Sequence, residues 1–98
     1  MFASLVLALV VSLHQPASFE FTLEGNRDAT VTLNGQQLVP GRVYRTSERF
    51  IGTVDVEVEV RWVDGDTVRR QTLTIPLRSG RHLEFRINVP GRANVVWV

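Results

Sequence analysis

From residue 19 onward the apolar side chains recur at every second position. That is the period of a strand with one face on a core and the other in water. Phe19, Phe21 and Leu23 alternate with Ser18, Glu20, Thr22 and Glu24, which predicts a first strand. The cluster Gly25-Asn26-Arg27-Asp28 interrupts the pattern as a turn. Ala29, Val31 and Leu33 then alternate with Thr30 and Thr32, and Asn34-Gly35 follows at once. Asn-Gly accepts the two positive φ angles of a type I′ turn, so residues 36–39 should fold back as a short strand. Pro40-Gly41 stops that strand; residues 43–49 carry the weakest pattern, and Gly52 closes them.

The clearest alternation runs over residues 53–63. Val54, Val56, Val58, Val60 and Trp62 share one face, and Asp55, Glu57, Glu59 and Arg61 share the other. On a helix these valines would scatter around the circumference, where β-branched side chains are stiff. Asp64-Gly65 next signals a hairpin. With these two as the central turn residues, Val63 opposes Asp66, Val56 opposes Leu73, Val54 opposes Ile75, and Glu59 faces Arg70. The return strand is then expected over residues 67–75, with Pro76 at its end, on an edge or at a bulge.

Ser79-Gly80 marks a third turn, after which Leu83, Phe85, Ile87 and Val89 alternate with His82, Glu84, Arg86 and Asn88. Pro90-Gly91 ends this strand, and residues 94–98 are left for a short last edge or a tail. Turn signals every eight to twelve residues between half-buried strands predict an all-β fold. The expected form is a small antiparallel β-sandwich or open barrel of about six to seven strands.

Residues 2–13 read differently. They are almost wholly apolar and are followed by His14-Gln15-Pro16-Ala17-Ser18. The run is shorter than the roughly 20 residues that span a bilayer, and it fits the apolar region of a secretory signal. Its amino end lacks Lys and Arg, and cleavage after Ser18 would put Pro16 three positions upstream. The division expected is a signal-like helix over residues 1–18 and a single β-domain over residues 19–98. The protein is then secreted, periplasmic or in the cell envelope, and touches membrane only through that segment if it is uncleaved.

Composition narrows the function. Without cysteine there is no disulfide and no thiolate metal site. Eleven basic residues, all arginine, balance ten acids to a formal net charge of +1. Such a chain lacks the long-range field that holds a phosphate backbone, so no nucleic acid is expected. The acids 55, 57 and 59 stand roughly 7 Å apart along a strand, within the range of glycosidase carboxylates. Glycoside hydrolysis also needs an enclosing cleft and an environment that sets the two carboxyls apart, and a solvated strand face opposite Arg70 is expected to provide neither. Asp64-Gly65-Asp66 lacks the further oxygen ligands of a calcium loop. His14 and His82 are isolated in sequence, so no metal, no cofactor and no catalytic residue is expected. Trp62, Trp97, Tyr44 and Phe50 are the candidate contacts for a ligand or partner, with Trp62 also suited to capping the core.

The order of features has a familiar form. A strand is followed by Asp28-Ala29-Thr30-Val31-Thr32-Leu33-Asn34-Gly35, a loop, and a long Val-rich strand ending at Trp62. Asp64-Gly65, a Thr/Arg-rich strand, Ser79-Gly80 and a final Leu-x-Phe-x-Ile strand complete it. Over about residues 19–89 this resembles the small exported β-domain abundant in planctomycete bacteria, itself similar to the PEGA domain of bacterial surface proteins. The chain departs from that pattern at residues 45–52, where a Ser-Pro-rich approach is replaced, and Pro40-Gly41 comes early. The resemblance implies an extracytoplasmic binding or structural role and supplies no catalytic residues. The function expected is a non-enzymatic interaction module for protein or envelope polymer. The alternative is a carbohydrate-binding module using the exposed aromatics.

Overall fold

The computed structural model describes residues 14–89 and 92–97. The apolar run assigned to a signal-like helix lies outside the described residues up to His14. Eight strands follow in chain order: β1 (Ser18–Gly25), β2 (Thr30–Leu33), β3 (Gln36–Leu38), β4 (Tyr44–Arg45), β5 (Thr53–Asp64), β6 (Thr67–Arg78), β7 (His82–Val89) and β8 (Asn94–Trp97). They form two four-stranded sheets, ordered β4-β1-β7-β8 and β3-β2-β5-β6. The all-β sandwich read from the alternation is therefore present, with no barrel closure and with one or two strands more than expected.

Inner faces of both sheets supply a common apolar layer. Phe19, Phe21, Phe85 and Ile87 come from the first sheet, and Val31, Val58, Val60, Ile75 and Leu77 from the second; all are buried. Burying each such side chain contributes roughly 1.5–3 kcal/mol, which makes this layer the main stabilising term. Trp62 is buried at 6% exposure and extends the layer towards the hairpin end. Towards the other end the layer opens, with Val56 half-buried and Val54 42% exposed.

The strands are not all antiparallel. β1 runs parallel to β7 over its whole length, setting Phe19 beside Leu83, Phe21 beside Phe85 and Leu23 beside Ile87. The first and seventh strands pair across the intervening chain, and no local turn signal encodes such a pairing. Phe21 and Phe85 stack at 6.0 Å between centroids, and Phe19 adds a second stack on Phe85 at 6.2 Å. Where the pair ends, Gly25 has a φ of 77°, and a Cβ there would meet the Val89 carbonyl oxygen at 2.8 Å. Only glycine satisfies both conditions.

Two hairpins test the turn readings. Asn34-Gly35 joins Leu33 to Gln36 with φ angles of 50° and 80°, as a type I′ turn requires. The long hairpin differs from expectation by two residues. Asp64 pairs with Thr67, so the loop is Gly65-Asp66 rather than Asp64-Gly65. Gly65 has the positive φ, 62°, in the first central position, the arrangement of a type II′ turn. Val56 therefore faces Ile75, Val58 faces Leu73 and Val54 faces Leu77, while Glu59 meets Thr72 and Arg61 meets Arg70. A two-residue shift keeps every side chain on its face, so the apolar pattern accommodates both registers. β6 also continues past residue 75 to Arg78, with Pro76 inside it. Pro76 is tolerated because β6 is an edge strand and Asp55, its partner, is in a non-hydrogen-bonded position of the ladder.

The ordered domain begins ahead of residue 19. Gln15 forms a bridge with Phe50 through both backbone groups, at 3.2 and 3.1 Å. The Pro16 carbonyl accepts from Gly80, Ala17 exchanges bonds with Thr46, and Ser18 donates to the Arg81 carbonyl. Ala17 is itself buried at 2% exposure.

Two predictions follow from burial and bonding. Val58 is 1% exposed and Glu57 is in solvent, so Val58→Asp should abolish cooperative folding while Glu57→Lys leaves the thermal midpoint within a few degrees. A chain starting at Phe19 loses the bonds of Gln15 to Ser18 and should be roughly 3 kcal/mol or more less stable than one starting at Gln15. Urea unfolding of the two chains measures that difference.

Candidate functional site

The parallel pairing also aligns the outer face of the first sheet. On β1, Ser18, Glu20, Thr22 and Glu24 point away from the core; on β7 their opposite numbers are His82, Glu84, Arg86 and Asn88. Glu20 and Glu84 are thus directly opposed, a like-charge arrangement that costs stability unless a cation offsets it. Basic side chains reach across diagonally. His82 Nε2 lies 2.9 Å from Glu20 Oε1 and 3.8 Å from Glu84 Oε1. Arg86 repeats the diagonal four residues on, donating from Nη1 to Glu24 Oε1 at 3.0 Å. On the other side of the imidazole, His82 Nδ1 is 2.7 Å from Ser18 Oγ.

Ser18, His82 and Glu20 thus form a hydrogen-bonded chain with the composition of a nucleophile, base and acid. Its polarity is reversed from a hydrolytic triad: the hydroxyl bonds Nδ1 and the carboxylate bonds Nε2. The chain lies on an open strand face with Glu84 beside it, and a developing oxyanion would meet a carboxylate there.

Charge at this cluster is uneven. The His82 hydrogen bond holds the Glu20 carboxyl below its ordinary value; the His82 charge adds to this, and partial desolvation opposes it. Next to the cluster, Arg45, Arg49 and Arg81 line an open cleft of about 400 Å³ together with Ser18 and His82. Arg45 is placed there because β4 pairs it with Ser18. None of these three arginines forms an ion pair among the described residues.

A second surface is the free side of β6. Among the described residues this twelve-residue strand pairs only with β5. Residues opposite the odd-numbered positions of β5 turn their backbone groups outward, which leaves the N–H groups of Val68, Arg70, Thr72 and Thr74 along the edge. At the hairpin end Arg69, Arg70 and Arg92 line a cleft of about 270 Å³ with Trp62, Thr67 and Gln71. Gln71 clamps this end by bonding both backbone groups of Ala93, which ties β6 to the chain entering β8.

The four aromatic candidates are dispersed. Trp62 belongs to the core at 6% exposure and also lines the cleft at the hairpin end. Tyr44 stacks on Phe19 at 5.7 Å, and its hydroxyl accepts from the Val39 N–H at 2.7 Å. Phe50 is half-buried and shares with Tyr44 an apolar cleft of about 410 Å³ at the open end of the sandwich. Trp97 is 52% exposed and tilted by 57° on Phe85 at the β8 edge. No two of the four make a ring contact with each other among the described residues. Asp55, Glu57 and Glu59 are all exposed on the outer face of β5.

The sequence reading missed the histidine cluster because it treated His82 as lacking neighbouring carboxylates. Two matching patterns, Ser18-x-Glu20 and His82-x-Glu84, each lie on a wet face; only the pairing of their strands brings them together. Searches of family models, curated proteins and solved structures give no match.

A depressed carboxyl stabilises the folded state above its unfolded value and ceases to do so as the pH falls through its folded value. Wild type should therefore melt above Glu20→Gln at neutral pH. The gap should close as the pH falls through and below 4.5, the ordinary value of this group. Thermal melts of both proteins from neutral to strongly acid pH read this directly.

Proposed function

We propose that this domain is a non-enzymatic interaction module acting outside the cytoplasm, and that it takes an extended, acidic segment of a partner protein along β6. The observation that carries this reading is the open edge itself: a long strand with four outward N–H groups, paired on one side only among the described residues. An extended peptide gains main-chain hydrogen bonds at such an edge, and alternate side chains set its specificity. Arg70, in the strand, and Arg92 beside it favour carboxylates on the incoming chain. The extracytoplasmic setting rests on the apolar run at residues 2–13 and on the family resemblance.

Carbohydrate binding has less support. A sugar platform needs exposed rings in one plane, and of the four aromatic candidates only Trp97 is more than half exposed.

Thr72→Pro deletes one outward donor in the orientation that Pro76 already occupies, so the fold should survive with a small loss of melting temperature. Thr72→Val keeps the donor. Immobilised wild type and Thr72→Val should retain the same envelope protein, and Thr72→Pro should lose at least tenfold of it. Equal retention by all three would turn the reading down.

A further inference from the structure

We propose that Glu20, His82 and Glu84 form a surface site for a divalent transition metal of the zinc class, with Ser18 orienting the histidine. The donor atoms of the three residues all lie within 4.8 Å of one another. In a tetrahedral zinc site, with bonds of about 2.0–2.2 Å, neighbouring ligand atoms stand about 3.4 Å apart. His82 Nε2 lies 2.9 and 3.8 Å from the two carboxylate oxygens, values that bracket this spacing. Sub-ångström side-chain adjustments admit the ion.

Three further features favour a metal over a plain ion pair. The opposed carboxylates of Glu20 and Glu84 are fixed by strand register, so their repulsion is built into the sheet, and a divalent cation offsets more of it than one imidazolium. With a metal on Nε2, the Nδ1–H would donate to the Ser18 hydroxyl at 2.7 Å, the kind of outer hydrogen bond that orients a ligating histidine. All three ligands project from two adjacent strands of one sheet, a more rigid platform than a loop. Arg45, Arg49 and Arg81 oppose a cation from the neighbouring cleft, but solvent screens them while coordination acts at about 2 Å. Nitrogen with two carboxylate oxygens suits zinc better than magnesium, which keeps an octahedral set of oxygens and several waters. Three protein ligands leave the fourth position open.

Calorimetric titration of the full chain with zinc chloride tests the site. One saturable zinc per chain is expected, with no corresponding binding of magnesium. His82→Ala and Glu84→Gln should each weaken zinc binding at least tenfold. Ser18→Ala should weaken it by roughly tenfold through loss of the outer hydrogen bond. His14→Ala, which removes the other histidine, should leave binding unchanged. A melt of each variant confirms folding, and zinc should raise the melting temperature of wild type but not of His82→Ala. The proposal is overturned if wild type takes up no zinc, or if binding persists in His82→Ala or disappears in His14→Ala.

Discussion

The parallel contact between β1 and β7 is the constraint on which the rest of the molecule depends. It joins the beginning of the domain to its last long strand, and in doing so it fixes two surfaces at once. Inward, it sets Phe21 on Phe85 and completes an apolar layer that the second sheet covers. Outward, it places Glu20 beside Glu84 and within reach of His82. Neither surface exists until this long-range pairing has formed. Contacts so distant in sequence carry a loop-closure cost that the local hairpins avoid. The 33–36 and 64–67 hairpins are therefore reasonable early structures, with the first sheet closing on them.

That difference in range also explains what was legible. Alternation identified the faces of β1, β2, β5, β6 and β7, because a face is a local property with period two. Asn34-Gly35 was legible for the same reason: two residues carry the whole turn. The long hairpin was legible in its faces and wrong in its register, since moving the loop from Asp64-Gly65 to Gly65-Asp66 shifts each partner by two and preserves the apolar match. Only the backbone angle of Gly65 and the polar ends of the ladder distinguish the two. Residues 43–49 read poorly because β4 is two residues long, too short to show a period.

Functional residues were harder to see than the core. Trp62 drew attention as a large aromatic near a hairpin tip, yet its place on the valine face buries it. His82 was set aside as isolated, since Ser18 and Glu20 come from a strand more than sixty residues earlier. A buried face is announced by its own composition. A polar cluster assembled across strands is announced only by topology.

The two sheets accordingly use their exposed parts differently. In the first, β1 and β7 are interior strands paired with each other along their whole length, and the side chains of their outer face are ionic and closely spaced. In the second, β6 is the outer strand and offers backbone. A bare edge of that length invites pairing between copies of the same chain, and Pro76 with Arg69 and Arg70 works against it. On the reading proposed for this edge, its arginines repel another copy of β6 and attract a partner strand that carries acids. On that reading the same side chains both disfavour self-pairing along the edge and select the strand that pairs with it.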